Sequence, residues 1–128
     1  MFLLFLISDS KLGGAQRQLY QIMHGIAGRG NQVVLGCPRG WLYDECAKVP
    51  RIIVIQLEFN ISSLLVIRSM IKNYKIDLVH TSLLKAGFIA SLTSLLVSTP
   101  LIVTVNNRII YDQLNPVKAT VYALIYRF

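Results

Sequence analysis

The hydrophobic pattern changes its period abruptly within the first thirty residues. Residues 2–7 are six consecutive apolar residues, typical of a strand that is covered on both faces in a parallel sheet. A polar segment and the pair Gly13–Gly14 follow, and from Ala15 apolar residues recur at helical spacing until Gly30, a residue type that commonly ends helices. The predicted inner stripe of this helix consists of Leu19, Ile22, Met23, Ile26 and Ala27. The pattern therefore predicts a strand, a glycine turn and a helix.

The rest of the chain continues this alternation of strand and helix. Further strands are predicted over residues 31–37, 51–56, 76–80 and 101–105. Helices are predicted over about 60–74, 85–97 and 116–128, with a brief helical turn within 41–49. In the helix near 60–74 the predicted inner stripe is Ile61, Leu64, Ile67 and Ile71. Five strands alternating with helices predict an α/β fold: a Rossmann-like, doubly wound parallel sheet of order 3-2-1-4-5, in a single domain spanning residues 1–128.

Ligands of such sheets bind outside the carboxyl ends of the strands. That edge is predicted to carry residues 8–14, 37–40, 80–85 and 106–108, with His80 as the last residue of the fourth strand. At Gly13–Gly14 the backbone N–H groups of a helix start would be open to phosphate or another anion. A glycine pair can equally serve only to make a tight connection, and both interpretations stand at this point.

Charge and composition restrict the class of partner. The chain is 54% hydrophobic and only 15% charged, which excludes a disordered protein. Its net charge is +7, and residues 65–128 hold seven basic residues against two acidic ones. This excess predicts an acidic partner: an anionic membrane surface or a phosphorylated substrate. No basic cluster or aromatic-basic run is present, so nucleic acid is not expected as a partner.

Two further features concern metal binding and membrane insertion. Cys37 and Cys46 lack the spacing of a zinc site and are predicted to be buried free thiols in a reducing cytoplasm. Residues 86–107 are uncharged over a length that could cross a bilayer. Because Pro100 interrupts this run, a helix, a turn and a strand explain it better. A small membrane protein with a span near 88–105 remains an alternative.

Three segments, in this order, resemble a known family. They are LISDSKLGGAQRQLYQIMHGIAGRGNQVVLGCP at 6–38, IDLVHTSLLKAG at 76–87 and PLIVTVNNR at 100–108. Together they resemble the N-terminal half of a family 4 retaining glycosyltransferase with the GT-B architecture. The resemblance implies two Rossmann-like domains facing each other across a cleft. The N-terminal domain mainly receives the acceptor, and the C-terminal domain holds the nucleotide-sugar donor, with no metal or other cofactor.

The resemblance also assigns roles to individual residues. It implies that Gly13 and Gly14 approach the donor pyrophosphate through their backbone N–H groups. Lys85 is either an acceptor contact or a solvated lysine, and His80 is either an acceptor contact or a half-buried structural histidine. Arg17 is a weaker cleft candidate, and His24 is expected to be structural. The predicted acceptor-binding residues are His80, Lys85, Asn106, Asn107 and Arg108.

Two departures from the family pattern modify this interpretation. Asn106–Asn107 stand where the family often has a histidine, and an amide cannot change its charge near neutral pH. An acid/base role at that position is therefore in doubt, whereas sugar binding is not. The family's donor-binding half carries a pair of glutamates, but no glutamate follows Glu58 here. The chain is therefore expected to be inactive without a donor-binding domain, which is either missing or a separate chain.

The expected whole reaction is transfer of a hexose from a nucleotide-sugar to an envelope saccharide or a lipid-linked acceptor. The expected location is the cytoplasm, with peripheral association at the inner face of the membrane. The alternative from another class is a non-catalytic GT-B-like module that pairs with a complete transferase.

Overall fold

The structure is a computed structural model that describes residues 1–97 and 99–104. Its strands are β1 (Phe2–Ile7), β2 (Gln32–Cys37), β3 (Ile52–Gln56), β4 (Leu78–Ser82) and β5 (Leu101–Thr104). Its helices are α1 (Gly14–Gly28), α2 (Trp41–Ala47), α3 (Ser63–Asn73) and α4 (Leu84–Thr93). The predicted final helix over 116–128 and the predicted site residues Asn106, Asn107 and Arg108 lie outside the described residues.

The five strands form one parallel sheet of order β3-β2-β1-β4-β5, so the predicted fold class and strand order are confirmed. β1 is central, with Leu4 beside Val34 of β2 on one side and Val79 of β4 on the other. Because every strand runs in the same direction, the loops that follow the strands emerge at one common edge. This carboxyl edge contains the glycine turn.

Two helical layers cover the sheet and explain the uninterrupted apolar run of β1. Leu4 and Leu6 pack into a core with α3 and α4, whereas Leu3, Phe5 and Ile7 pack into a second core with α1 and α2. All five are at most 6% exposed. A strand buried on both faces has no polar face, and its sequence therefore does not alternate.

The inner faces of α1 and α3 differ from the predicted stripes. In α1, Gln16 is buried with Leu19, Met23 and Ala27, while Ile22 is 40% exposed. The helix is rotated because the Gln16 side chain donates a hydrogen bond to the Asp9 carbonyl, 2.9 Å away, beneath the loop that precedes the helix.

At α3, Ile61 is 68% exposed, and Met70 takes a place in the inner stripe with Ile67 and Ile71. Ile61 lies in the turn before the helix, where Asn60 Oδ1 accepts a hydrogen bond from the Ser63 N–H at 3.1 Å. This turn leaves Ile61 on the outside of the domain.

β4 begins two residues later than predicted, so His80 takes a different position within the strand. Lys75 has a positive φ of 52°, and the Ile76 N–H donates to the Ile71 carbonyl at 3.0 Å, so these residues complete the end of α3. The Asp77 N–H then donates a hydrogen bond to the Phe2 carbonyl of β1, 2.8 Å away, at the amino end of the sheet. His80 is consequently in the middle of β4, opposite Phe5, and does not end the strand as predicted.

The uncharged segment near the C-terminus forms several short elements. α4 is ten residues long and ends at Thr93, four residues before the predicted end at Val97, and β5 then pairs with β4. Within residues 1–97 and 99–104, no helix has the length and apolar character needed to cross a bilayer. Because α4 ends at Thr93 and Leu101–Thr104 form β5, the described residues between 88 and 104 are not one continuous helix.

Candidate functional site at the carboxyl edge of the sheet

The glycine turn joins β1 to α1 at the carboxyl edge. Gly13 is extended, with φ −166° and ψ −179°, and α1 begins at the next residue. No side chain caps this helix start, and its first turn contains no acidic residue. The first backbone N–H groups of a helix lack partners within the helix and lie at the positive end of its dipole. This helix start therefore offers hydrogen-bond donors to an anion.

The two glycines differ in their surroundings. A Cβ placed on Gly14 would meet no atom within 4 Å, so this residue faces open space. A Cβ on Gly13 would lie 2.8 Å from Gln16 Oε1, and Gln16 is itself buried and hydrogen-bonded to Asp9. A side chain at Gly13 would therefore have to displace the Gln16 amide, whereas Gly14 leaves the helix start accessible.

A second loop holds the glycine turn from the side. The Ser10 carbonyl accepts a hydrogen bond from the Leu42 N–H at 3.0 Å, and Ser10 Oγ accepts one from the Tyr43 N–H at 3.3 Å. Ser10 is only 2% exposed, and a Cβ on Gly40 would lie 2.8 Å from its Cβ. We call these contacts of Ser10 with Gly40, Leu42 and Tyr43 the Ser10 clasp. It fixes the loop that leads to Gly13, and sequence reasoning missed it because its partners are 30 or more residues from Ser10 in the sequence.

An arginine that was not among the predicted site residues also lies at this edge. The guanidinium of Arg39 is 4.8 Å from the centre of the Tyr43 ring, and its Nε donates to Gln56 Oε1 at 3.3 Å. Arg39 follows the end of β2, and Gln56 is the last residue of β3. These two contacts hold the positive charge of Arg39 beside the Ser10 clasp. The sequence signal for Arg39 was the prediction that residues 37–40 lie at the carboxyl edge.

His80 is half-buried, and its environment favours the neutral imidazole. Its ring meets Phe5 edge-on, with the ring centres 5.2 Å apart. Burial lowers the pKa of His80 below its ordinary value of 6.5. His80 therefore has the character of a neutral hydrogen-bonding group in the sheet.

His24 is exposed on α1, where its ring centre is 5.8 Å from that of Tyr20.

Lys85 is exposed in the first turn of α4, so the structure brings it to the same edge as Gly13 and Gly14. It follows Leu83, whose φ of 71° and ψ of 155° form a conformation that non-glycine residues rarely adopt. Arg17 is exposed in the first turn of α1.

The two cysteines do not belong to a metal-binding cluster in the described part of the chain. Within residues 1–97 and 99–104 there is no cluster of three or more histidine, cysteine, aspartate or glutamate side chains that could hold a metal ion. Cys37 and Cys46 are buried free thiols, and burial raises their pKa values to about 11 and about 12. Both are therefore protonated near neutral pH and poor nucleophiles.

A sequence model of Glycosyltransferase Family 4 matches residues 12–128, which is nearly the whole chain. The chain belongs to glycosyltransferase family 4. The match begins just before Gly13, so the glycine turn and the helix that it opens are within the family region. No curated protein matches the chain.

Solved structures place the family 4 chain within the GT-B architecture. It is similar to HepE of Anabaena in complex with UDP, with a TM-score of 0.79 and 19% identity, over 98% of this chain and 35% of that one. It is also similar to a glycosyltransferase of Rickettsia africae, with a TM-score of 0.70 and 17% identity over 91% of this chain and 34% of that one. MurG of Acinetobacter baumannii gives a TM-score of 0.69 and 13% identity over 95% of this chain and 38% of that one. The family 4 chain thus spans about a third of each of these proteins and has the Rossmann-like fold of an N-terminal GT-B domain.

Proposed function

We propose that this chain is the acceptor-side half of a retaining glycosyltransferase that moves a hexose from a nucleotide-sugar to a hydroxyl group. The observation that carries the proposal is the uncapped start of α1 at Gly13–Gly14, open at Gly14 and located at the carboxyl edge of a family 4 sheet. HepE, a structural neighbour, is known in complex with UDP and with UDP-glucose. A nucleoside diphosphate-sugar is accordingly the class of donor that we propose.

The proposed role of the glycine turn is electrostatic. When the bond between the sugar and the diphosphate breaks, negative charge grows on the leaving phosphate. Backbone N–H groups already oriented by α1 would stabilise that charge, and they need no reorganisation at the moment of reaction. The Ser10 clasp and the Gln16–Asp9 hydrogen bond hold the loop that orients them. In this proposal no metal ion takes part, because helix ends and basic side chains balance the charge.

We propose that the rest of the site binds the acceptor and that a second domain completes it. In this proposal the exposed Lys85 contacts an acidic acceptor, and the neutral His80 forms a hydrogen bond with a sugar or with a loop near β4. We propose an envelope saccharide or a lipid-linked intermediate as acceptor, used at the inner face of the membrane. A donor-binding domain outside these 128 residues would complete the cleft, so the chain alone would not transfer sugar.

The phosphate role can be tested on the chain itself by titrating the ¹⁵N-labelled protein with UDP-glucose. Two charge-assisted hydrogen bonds of about 2 kcal/mol each correspond to a dissociation constant in the millimolar range. The amides of Gly13, Gly14 and Ala15 should shift saturably with UDP-glucose but not with glucose. Gly14→Val should weaken this binding at least tenfold, because its side chain would occupy the open approach while meeting no protein atom at Cβ.

Gly25→Val is the matched control, because a Cβ at Gly25 in α1 also meets no atom within 4 Å. It should leave the titration unchanged. If the amides at the glycine turn do not move, or if the two valine variants behave alike, the proposed phosphate site is wrong.

A further inference from the structure

The strand β3 forms one edge of the sheet, and in the described part of the chain no strand pairs with its outer side. It pairs with β2 alone, in an unbroken parallel register. Such an edge presents a row of backbone N–H and C=O groups to which another strand can be added, and proteins commonly protect it with a charge or a proline in the strand. Residues 52–56 read IIVIQ and contain neither. The outer side of β3 is therefore suited to pairing with a further strand.

The hydrogen bonds between β2 and β3 show which residues of β3 bond inward. The Arg51 carbonyl accepts a hydrogen bond from the Val33 N–H at 3.1 Å. At the other end of the strand, the Leu57 N–H donates to the Cys37 carbonyl at 2.9 Å. A strand bonds to a given neighbour through every second residue, so the odd-numbered residues of β3 direct their backbone groups towards β2.

The even-numbered residues Ile52, Val54 and Gln56 consequently direct their backbone groups away from the sheet. The Ile52 N–H donates to the Val49 carbonyl at 3.2 Å, so it is used within the chain. The outward donors that remain are the N–H groups of Val54 and Gln56, and the outward acceptors include the carbonyls of Ile52 and Val54. No strand among the described residues binds these groups.

These outward groups match a second copy of β3 in the antiparallel orientation. With Val54 opposite Val54 of the second copy, each N–H of this pair can donate to the carbonyl of the other. In the same register, the Gln56 N–H of each copy reaches the Ile52 carbonyl of its partner. Ile53 is 37% exposed, and this register places it opposite Ile55 of the second copy, where the two side chains become neighbours. The strand is thus complementary to itself in its hydrogen bonds and in its apolar side chains.

The charges that flank β3 are complementary in the same way. Arg51 precedes the strand and Glu58 follows it, and both residues are exposed. An antiparallel pair brings the end with Arg51 beside the end with Glu58 of the second copy. A parallel pair would instead bring Arg51 beside Arg51 and Glu58 beside Glu58. The attraction of opposite charges therefore favours the antiparallel pair, and a second copy of this chain is the partner that the edge fits.

We propose that this chain forms a two-fold dimer in which the β3 strands of two copies pair in the antiparallel orientation and join the two sheets into one. This proposal goes beyond the proposed function and does not rest on it. Because the strands run in opposite directions, the carboxyl edges of the two domains point in opposite directions, and the two glycine turns lie at opposite sides of the dimer. The contact involves one strand of each copy, which predicts a small interface and a dissociation constant in the micromolar range.

The test is sedimentation velocity of the whole chain over a series of concentrations. Ile53→Lys should weaken dimerisation about tenfold or more, because it places a charge in the edge at the contact with Ile55 of the second copy. Ile22→Lys is the matched control, since Ile22 is 40% exposed but lies on α1, outside the sheet. It should dimerise like the wild type. Both isoleucines are partly exposed, so both variants should have the circular dichroism spectrum of the wild type.

An exchange of charges tests the antiparallel orientation. Arg51→Glu should weaken dimerisation about fivefold, because two contacts between opposite charges become contacts between like charges. The double variant R51E/E58R has opposite charges at the two ends again, and the net charge of the wild type. It should therefore regain wild-type dimerisation. If it dimerises as weakly as Arg51→Glu, the antiparallel orientation is wrong.

Amide hydrogen exchange locates the contact within the chain. In concentrated wild-type protein the N–H groups of Val54 and Gln56 should exchange about tenfold more slowly than in Ile53→Lys, whereas the inward N–H of Ile55 should exchange alike in both. The proposal is overturned by a wild-type chain that remains monomeric at millimolar concentration. It is also overturned by equal dimerisation of Ile53→Lys and Ile22→Lys, or by unchanged exchange at Val54 and Gln56. None of these measurements needs a nucleotide-sugar, so their outcome is independent of the UDP-glucose titration.

Discussion

Replacing Gly40 by alanine should open the Ser10 clasp and destabilise the domain. The new Cβ would lie 2.8 Å from Ser10 Cβ and 3.0 Å from the Ser10 carbonyl oxygen. The oxygen is backbone, and Ser10 is buried, so neither atom can move aside like the end of a flexible side chain. Overpacking of this kind costs about 1–3 kcal/mol. The hydrogen bonds from Leu42 and Tyr43 to Ser10 would stretch or break, at about 1 kcal/mol each.

The expected loss in the free energy of unfolding is therefore about 2–4 kcal/mol, because alanine recovers up to about 1 kcal/mol by restricting the unfolded chain. Urea unfolding followed by circular dichroism measures this value. Ser10→Ala removes only the hydroxyl contact and should cost about 1 kcal/mol. Gly25→Ala, where the added Cβ meets open space within a helix, should instead stabilise the domain by up to about 1 kcal/mol.

The same variants report on the geometry of the glycine turn. In Gly40→Ala and Ser10→Ala, amide shifts should change for residues 9–14, whereas Gly25→Ala should leave them in place. A Gly40→Ala protein whose unfolding free energy lies within about 0.5 kcal/mol of the wild type would show that the two loops are not coupled. The Ser10 clasp would then not be what holds the glycine turn.

Two further predictions concern β4. Thr81 is fully buried and its Oγ1 has no hydrogen-bond partner in the described residues, so Thr81→Val should stabilise the domain by about 1 kcal/mol in urea unfolding. Thr93→Val is the control and should not stabilise, because the Thr93 hydroxyl donates to the Ile89 carbonyl at 2.9 Å; equal effects would contradict the assignment. Burial lowers the pKa of His80, so the folded state binds fewer protons than the unfolded state. The contribution of neutral His80 to the free energy of unfolding should therefore be fully present above about pH 6.5 and be lost as the pH falls through the lower folded pKa. His80→Gln should reduce this loss of stability at acid pH, and His24→Gln should not. A pH dependence that His80→Gln leaves unchanged would refute the burial of His80 as its cause.

The local pattern of residues was sufficient for the fold class. The apolar run of β1, the glycine pair and the helical period after Ala15 each depend on neighbours in the sequence, and the structure has all three. The strand order follows from the alternation of strands and helices with right-handed crossovers, and the predicted order is confirmed. The roles of Gly13, Gly14, His80 and Lys85 remain predictions, although the structure places the glycine pair and Lys85 at the expected edge.

The errors arose where distant contacts decide the outcome. An apolar period marks a helix but does not fix its rotation, and the hydrogen bond between Gln16 and Asp9 turned α1 so that Ile22 faces outward. β4 begins later than predicted because Lys75 and Ile76 complete the end of α3, a contact with Ile71 that the strand pattern alone does not contain.

By itself, the sequence determined that this chain is a parallel α/β domain with a glycine turn between its first strand and first helix, because those properties arise from short-range periodicity and glycine geometry. Only the tertiary structure decided how that turn is held by Ser10, that His80 lies inside the sheet, and that Lys72 and Leu95 line one groove. The physical reason is that packing between segments dozens of residues apart sets register, rotation and exposure, and no local pattern contains that information.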